Sequence, residues 1–310
     1  MKISIIGAGR LGATLAYTLT LKDVVREITL IDINQKLARG EMMDISQGIS
    51  LTGYTRVKTA DYDSVKDADI IVITAGIPRK PGESRLDLNK KNVTILKDIV
   101  GNIIKYNRSA ILFVVSNPVD IMTYVAYKAS GFERKKVFGM GTMLDTMRLR
   151  SAIGSYFDLN PKDVDILFLG EHGDSMTPVF SLASINSVPL SALSGYNREK
   201  LEEIAEKERT CAAEVISLKG GTIFAPAVAM AEIIESMVKD RRQIMPLSVY
   251  LEDYYGIDGI YTGVPAILSK EGIEKVVKLP LDEKEIKGLQ ASAAIIKSAI
   301  KDLKDGGHID

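Results

Sequence analysis

The first half of the chain alternates short apolar runs with longer amphipathic stretches. The runs are apolar at almost every residue rather than at every second one, which is typical of strands covered on both faces. Strands that alternate with helices imply a parallel sheet with right-handed crossovers. We expect strands at 2–7, 27–32, 56–59, 68–76, 109–116 and 136–140, and helices at 11–21, 36–50, 87–106 and 119–130.

The second half has a different pattern, and the change falls near residues 140–145. The apolar run "VDILFLG" predicts a strand at 164–170, and a glycine-punctuated stretch between 245 and 279 predicts an antiparallel meander. The sequence therefore predicts an α/β protein with a doubly wound parallel sheet over 1–141 and an α+β domain over 142–310. Within the second domain we expect helices at 142–157, 196–218, 226–240 and 282–303.

Composition restricts the kinds of partner. The 310 residues include 40 Lys and Arg against 40 Asp and Glu, so the net charge is near zero. Broad binding to nucleic acid or anionic membranes needs excess positive charge, so we expect neither partner. The single cysteine, Cys211, excludes an intrachain disulfide. No apolar stretch is long enough for a signal peptide or a membrane span, so we expect a soluble cytoplasmic protein, and we expect no metal site.

The stretch "IIGAGRLG" fits G-x-G-x-x-G with Gly7, Gly9 and Gly12, between a predicted strand and a predicted helix. In that context the glycines permit a tight turn, close approach of a pyrophosphate and close helix packing, as in a Rossmann fold. Asp32 ends the next predicted strand, where a carboxylate binds the ribose 2′-OH and repels a 2′-phosphate, which favours NAD over NADP. A glycine-rich turn with a structural Asp is the alternative.

The carboxyl ends of parallel strands line the ligand crevice of such a sheet, and "VSNPVD" at 115–120 follows a predicted strand. We therefore predict that NAD is held by Gly7, Ala8, Gly9, Arg10, Leu11, Gly12, Asp32, Val115, Ser116 and Asn117.

The stretch "AGIPRKPGESRLDLNKKN" at 75–92 contains two prolines and a glycine that predict a loop over the crevice. Its cations, Arg79, Lys80 and Arg85, could clamp an anionic substrate. A solvated basic loop is the alternative interpretation.

The sequence contains two histidines, and one of them lies in "LGEHGDS" at 169–175. This histidine, His172, follows a buried strand in a polar turn whose glycines leave room for a ligand, and imidazole is suited to exchanging a proton with a hydroxyl group. The other, His308, lies in a polar tail. In "LDTMR", Asp145 and Arg148 share a helix face. They form either a surface ion pair or two separate groups that orient an imidazole and bind a carboxylate.

These pieces together resemble the lactate/malate dehydrogenase family, and they occur in the same order along nearly the whole chain. The matching motifs are "GAGRLG", Asp32, "TAG" with "RKPGESR", "SNPVD", "LDTMR", "GEHGDS" and "KGGTIFAPA" at 219–227. The resemblance implies that His172 is the acid/base, that Asp145 stabilises its protonated form and that Arg148 binds the substrate's C1 carboxylate.

The resemblance assigns three further residues. Arg85 would polarise the C2 oxygen when the loop closes, Asn117 would contact the substrate oxygen and the cofactor, and Asn92 would lie near the NAD phosphates and ribose. The resemblance to the lactate-dehydrogenase-like branch of the family implies a homo-oligomer, usually a tetramer and sometimes a dimer. Helices at 36–50 and 200–218 are the candidate subunit contacts, with burial inside one subunit as the alternative.

The 2-hydroxy acid that the resemblance implies depends on Arg79, because an arginine at this loop position is similar to the family's malate enzymes. A guanidinium can bind the second carboxylate of this dicarboxylate substrate bidentately. We therefore expect a malate dehydrogenase that interconverts (S)-malate and oxaloacetate. The flanking "GESR" and "GEHGDS" resemble the lactate branch, so the resemblance implies the lactate-dehydrogenase-like branch of malate dehydrogenases. Thr222 matches a substrate-pocket position of the lactate branch, and L-lactate dehydrogenase on the same scaffold is the alternative. A non-catalytic NAD-binding protein is the remote alternative.

Overall fold

The structure is a computed structural model that describes residues 1–77 and 85–309, apart from the side chains of 85–87. The predicted residue Arg79 and the side chain of Arg85 therefore lie outside the described residues. The strands are β1 Lys2–Ile6, β2 Glu27–Ile31, β3 Arg56–Thr59, β4 Ile70–Ile73, β5 Ile111–Val114, β6 Val137–Gly139, β7 Val164–Asp165, β8 Phe168–Leu169, β9 Thr177–Pro178, β10 Ser184–Ile185, β11 Val188–Pro189, β12 Gln243–Tyr250, β13 Tyr261–Ser269 and β14 Gly272–Val276. The α-helices are α1 Arg10–Lys22, α2 Gln35–Gly48, α3 Arg85–Tyr106, α4 Val119–Ser130, α5 Met143–Phe157, α6 Arg198–Lys219, α7 Phe224–Val238 and α8 Glu283–Asp305.

Six of these strands form the predicted parallel sheet, in the order β3-β2-β1-β4-β5-β6. Strands β1, β4 and β5 are buried almost throughout, as the uninterrupted apolar runs predicted. The strand order reverses between β1 and β4, so the ligand crevice of this doubly wound sheet lies at their carboxyl ends. The predicted fold class is confirmed.

The antiparallel meander predicted between 245 and 279 is present as β12, β13 and β14. The sequence did not predict that this meander extends the parallel sheet: Ser248 of β12 pairs with Gly139 of β6, which makes one sheet of nine strands. Gly139 permits the contact, because a Cβ there would lie 2.3 Å from Thr123 Oγ1 and 3.0 Å from Ser248 Cβ. The two halves of the chain are therefore joined by a close main-chain contact.

The single strand predicted at 164–170 is wrong in detail. The chain there forms two short strands, β7 and β8, which belong to two different small sheets. Val164, Ile166 and Phe168 of this run belong to a second hydrophobic cluster with Leu149 and Leu201, whereas Leu169 belongs to the main core. The short strands place Gly170 at the edge of β13, where its main chain pairs with Gly263.

The main hydrophobic core is continuous across the two halves of the chain. It includes Ile5 and Val72 of the parallel sheet together with Ile233 of α7 and Val264 of β13. The domain division at 141/142 stays a prediction. No helix in the described ranges is long and apolar enough to cross a membrane.

Candidate active site

The glycine turn between β1 and α1 is closed on one side and open on the other. Gly7 has φ +106°, and a Cβ on Gly12 would lie 1.9 Å from the Gly7 carbonyl oxygen, so the first turn of α1 packs directly on the turn. A Cβ on Gly9 would meet nothing within 4 Å, and Gly9 caps α1 without a side-chain hydrogen bond. The free N–H groups at this helix end suit a phosphate group.

The carboxylate of Asp32 is fixed by two main-chain N–H groups at the carboxyl end of β2. Ala8 N–H donates to Oδ2 at 2.7 Å, and Asn34 N–H donates to Oδ1 at 2.8 Å. A cavity of about 250 Å³ lies beside it, lined also by Gln35 and Arg39. A fixed acid at the edge of a cavity next to the glycine turn suits the adenosine end of a dinucleotide.

Other predicted cofactor residues lie around this turn and at the carboxyl end of β5. Arg10 is exposed, and its Nη1 lies 3.4 Å from the carbonyl oxygen of Lys219. Val115 is buried, and the Ser116 hydroxyl donates to the Ala75 carbonyl at 2.5 Å. Direct contacts of these residues with NAD stay predictions.

The side chain of Asn92 is buried and binds main-chain groups of the protein. Its Oδ1 accepts from Ile77 N–H at 3.0 Å, and its Nδ2 donates to the Asn117 carbonyl at 2.9 Å. Asn92 therefore connects the segment before residue 78 to the exposed Asn117 at the crevice. A contact of Asn92 with the cofactor stays a prediction.

The structure brings His172, Asp145 and Arg148 together. His172 Nδ1 lies 2.6 Å from Asp145 Oδ2, and Arg148 Nη1 donates to Asp145 Oδ1 at 3.1 Å. The Asp145 side chain is 1% exposed and that of Arg148 is 12% exposed, so this is a buried cluster rather than a surface ion pair. Because Nδ1 faces Asp145, the imidazole presents Nε2 to a ligand, which suits proton exchange.

The charges in this cluster favour an imidazolium beside a carboxylate. Burial lowers the pKa of His172, but the Asp145 carboxylate outweighs burial and holds that pKa above 6.5. Burial raises the pKa of Asp145, but His172 and Arg148 outweigh it and hold that pKa below 3.8. The imidazole therefore retains its proton to a higher pH than an isolated histidine.

Sequence reasoning missed three residues that hold the histidine loop in place. His172 N–H donates to Asp120 Oδ2 at 2.8 Å, and Ser248 Oγ donates to Asp120 Oδ1 at 2.5 Å. Glu171 N–H donates to Ser292 Oγ at 2.7 Å. Polar residues in otherwise apolar strands and helix faces, such as Ser248 in "MPLSVYL", were the available signal, because a buried polar group needs a partner.

Comparison with known proteins agrees with this arrangement. Residues 1–139 match the family described as lactate/malate dehydrogenase, NAD binding domain, and residues 142–306 match the corresponding alpha/beta C-terminal domain. An L-lactate dehydrogenase of Clostridium botulinum is 42% identical over 306 residues, 96% of each chain. A lactate dehydrogenase from a Medee basin deep-sea metagenome library has a TM-score of 0.95 at 38% identity, covering 98% of each chain. The malate dehydrogenase of Picrophilus torridus has a TM-score of 0.93 at 35% identity, covering 98% of this chain and 97% of that one.

These similarities correct the expectation of a malate dehydrogenase. The relative that shares 42% identity over nearly the whole chain is named an L-lactate dehydrogenase, as is a Kosmotoga olearia protein at 40% identity over 98% of this chain. The malate expectation depended on one side chain, Arg79, which lies outside the described residues. A cation identifies a second substrate carboxylate only if it is enclosed against it, so the single residue was too weak a basis.

The two histidines permit a direct test of the cluster's electrostatics. We predict that the His172 imidazole titrates with a midpoint above 6.5 and that Asp145→Asn lowers that midpoint. The reason is that the largest attraction that opposes burial is removed with the Asp145 charge. The measurement is a ¹H–¹⁵N NMR titration, with His308→Asn as the variant that assigns the signals. An unchanged midpoint in Asp145→Asn would contradict the prediction.

Proposed function

The chain belongs to the lactate/malate dehydrogenase family, and we propose that it is an NAD-dependent L-lactate dehydrogenase that interconverts L-lactate and pyruvate. The observation that carries this proposal is the buried pair of His172 and Asp145 with Arg148 on the other carboxylate oxygen. The pair provides a proton donor, and the guanidinium provides a partner for a substrate carboxylate. The lactate dehydrogenase names of the relatives support the choice of substrate.

In the reducing direction the substrate oxygen needs a proton. NADH, when bound, would supply the hydride that reduces C2. His172 donates the Nε2 proton to the oxygen, and the Asp145 carboxylate stabilises the imidazolium before the transfer. Pyruvate, NADH and one proton give L-lactate and NAD⁺, so the charge and atoms balance. In the oxidising direction the neutral imidazole accepts the hydroxyl proton.

The substrate is held by its carboxylate. Arg148 uses Nη1 for Asp145, and its other N–H donors bind the C1 carboxylate in the proposal. Asn117, exposed at the crevice, contacts the substrate oxygen, and Arg85 polarises the same oxygen in the proposal. Arg79 has no assigned substrate contact in this proposal.

The family's cofactor is NAD, and the residues at the glycine turn fit it. We propose that the free N–H groups after Gly9 bind the pyrophosphate and that the Asp32 carboxylate binds the adenosine ribose. A 2′-phosphate at this position would meet the Asp32 charge, which favours NAD over NADP.

The proposal predicts a higher kcat/KM with pyruvate than with oxaloacetate, by at least about tenfold. In the described part of the chain, Arg148 is the guanidinium beside the imidazole. One guanidinium can pair with the single carboxylate of pyruvate. A second carboxylate enclosed without a partner costs on the order of several kcal/mol. The measurement is steady-state NADH oxidation with both keto acids at fixed pH.

Arg148→Lys serves as the control for that assay. It keeps the charge but loses the planar fork, so we expect it to lower kcat/KM for either keto acid. A higher wild-type kcat/KM with oxaloacetate than with pyruvate would reject the lactate assignment and retain the dehydrogenase assignment. No activity with either acid would reject both.

We also propose that the protein is a homo-oligomer, either a tetramer or a dimer. Helix α2 buries only Ala38 and Ile45, and Met43 is 47% exposed on the same helix. Ile216 and Leu218 of α6 are 53% and 78% exposed. These apolar side chains are the expected subunit contacts, since association would remove them from water. Sedimentation velocity would show a dimer or larger species, and a monomer at micromolar concentration would contradict the proposal.

A further inference from the structure

Two consecutive main-chain N–H groups of the histidine loop are held by side chains from different parts of the fold. Glu171 N–H donates to Ser292 of α8, and His172 N–H donates to Asp120 in the first turn of α4. Asp120 is also bound by Ser248 of β12. The position of the histidine main chain therefore depends on α4 and on the strand that extends the parallel sheet.

Asp120 is a costly residue at this place if its only function is to accept hydrogen bonds. Its side chain is 2% exposed, and burial raises the pKa of its carboxyl to about 6, although the hydrogen bonds from Ser248 and His172 lower it in part. At pH 7 this carboxyl is still mainly ionised. An asparagine could accept from the same N–H without the desolvation of a charge.

The cation that stabilises the buried Asp120 charge is the imidazolium of His172. From α5, Asp145 attracts the imidazolium through direct contact, whereas Arg148 repels it. From α4, Asp120 adds a second attraction to the imidazolium, and the loop's own Glu171 lies close enough to act on Asp120. Two carboxylates from different helices therefore favour one imidazolium, Asp145 by direct contact with the ring and Asp120 from beside the histidine main chain, and both oppose the unfavourable charge of Arg148.

We propose that Asp120 is a positioning residue for His172: its hydrogen bond fixes the main chain of the histidine, and its charge favours the protonated imidazole. In catalysis this inference rests on the proposed function, because a protonated His172 is needed for keto acid reduction. The electrostatic part is independent of any substrate and can be measured on the free protein.

The test is Asp120→Asn, with Ser292→Ala as the matched control. Asparagine keeps an oxygen for His172 N–H and removes the charge, whereas Ser292→Ala releases the adjacent Glu171 N–H and changes no charge. We expect Asp120→Asn to lower the NMR titration midpoint of His172 by about 0.5 pH unit or more. We expect the wild-type His172 signal to show a second inflection near pH 6 that Asp120→Asn lacks. Ser292→Ala should show the wild-type midpoint and both inflections.

The kinetic counterpart is the pH profile of kcat/KM for pyruvate. Its basic limb should move to lower pH in Asp120→Asn by the same amount as the NMR midpoint, and it should stay in place in Ser292→Ala. An unchanged His172 midpoint in Asp120→Asn, or an equal shift in Ser292→Ala, would overturn the proposal. Absence of turnover in the wild type would remove the proposed function, while the NMR result would still decide the electrostatic role of Asp120.

Ser248→Ala keeps the proposal testable if Asp120→Asn does not fold. Removal of the Ser248 hydroxyl takes away a hydrogen bond that favours the charged carboxylate, so Asp120 is protonated at a higher pH. The second inflection of the His172 signal should then move above pH 6. An inflection that stays in place would overturn the proposal.

Discussion

The carboxylate of Asp145 is almost fully buried, and each of its oxygens has a cationic or ionisable partner, His172 on one side and Arg148 on the other. A charge in this position is stable only while both partners are present, because desolvation would otherwise force it to take up a proton. The same carboxylate fixes the orientation of the imidazole and the place of the guanidinium. In the proposed reaction, the proton donor and the carboxylate partner are therefore positioned by one group.

The sheet brings the remaining parts to this cluster. The carboxyl ends of β1, β2 and β5 carry the glycine turn, Asp32 and Asn117, which is where an open parallel sheet binds its ligands. Strand β12 continues the sheet beyond β6, and its Ser248 reaches the Asp120 carboxylate beneath the histidine loop. The contact between β6 and β12 thus connects the predicted cofactor side of the molecule to the side that carries His172.

The sequence was most informative where one strong local rule decides the structure. Uninterrupted apolar runs predicted β1, β4 and β5. The glycine spacing predicted the turn between β1 and α1, where Gly9 leaves open space and a side chain at Gly12 would collide with the Gly7 carbonyl. The family resemblance implied the contact between His172 and Asp145. The break between β7 and β8 depends on the packing of short strands. The pairing of β12 with β6 depends on partners more than 100 residues apart in the sequence. Neither feature leaves a periodic signal.

The burial of Asp120 could not be predicted from the sequence either. A carboxylate in "SNPVD" could have been a surface residue of a helix terminus, and only the three-dimensional contacts with Ser248 and His172 show that it is buried. The substrate is a further limit, since the malate expectation depended on the single residue Arg79 while whole-chain similarity pointed to lactate.

The most direct test of the central claim is the turnover of His172→Asn together with its affinity for NADH. We expect kcat for keto acid reduction to fall by roughly a hundredfold to ten-thousandfold, because the proton donor is lost, while the Kd for NADH changes little. The other histidine provides the control, since His308→Asn should retain wild-type turnover. Wild-type turnover in His172→Asn would contradict the assignment of proton transfer to this imidazole.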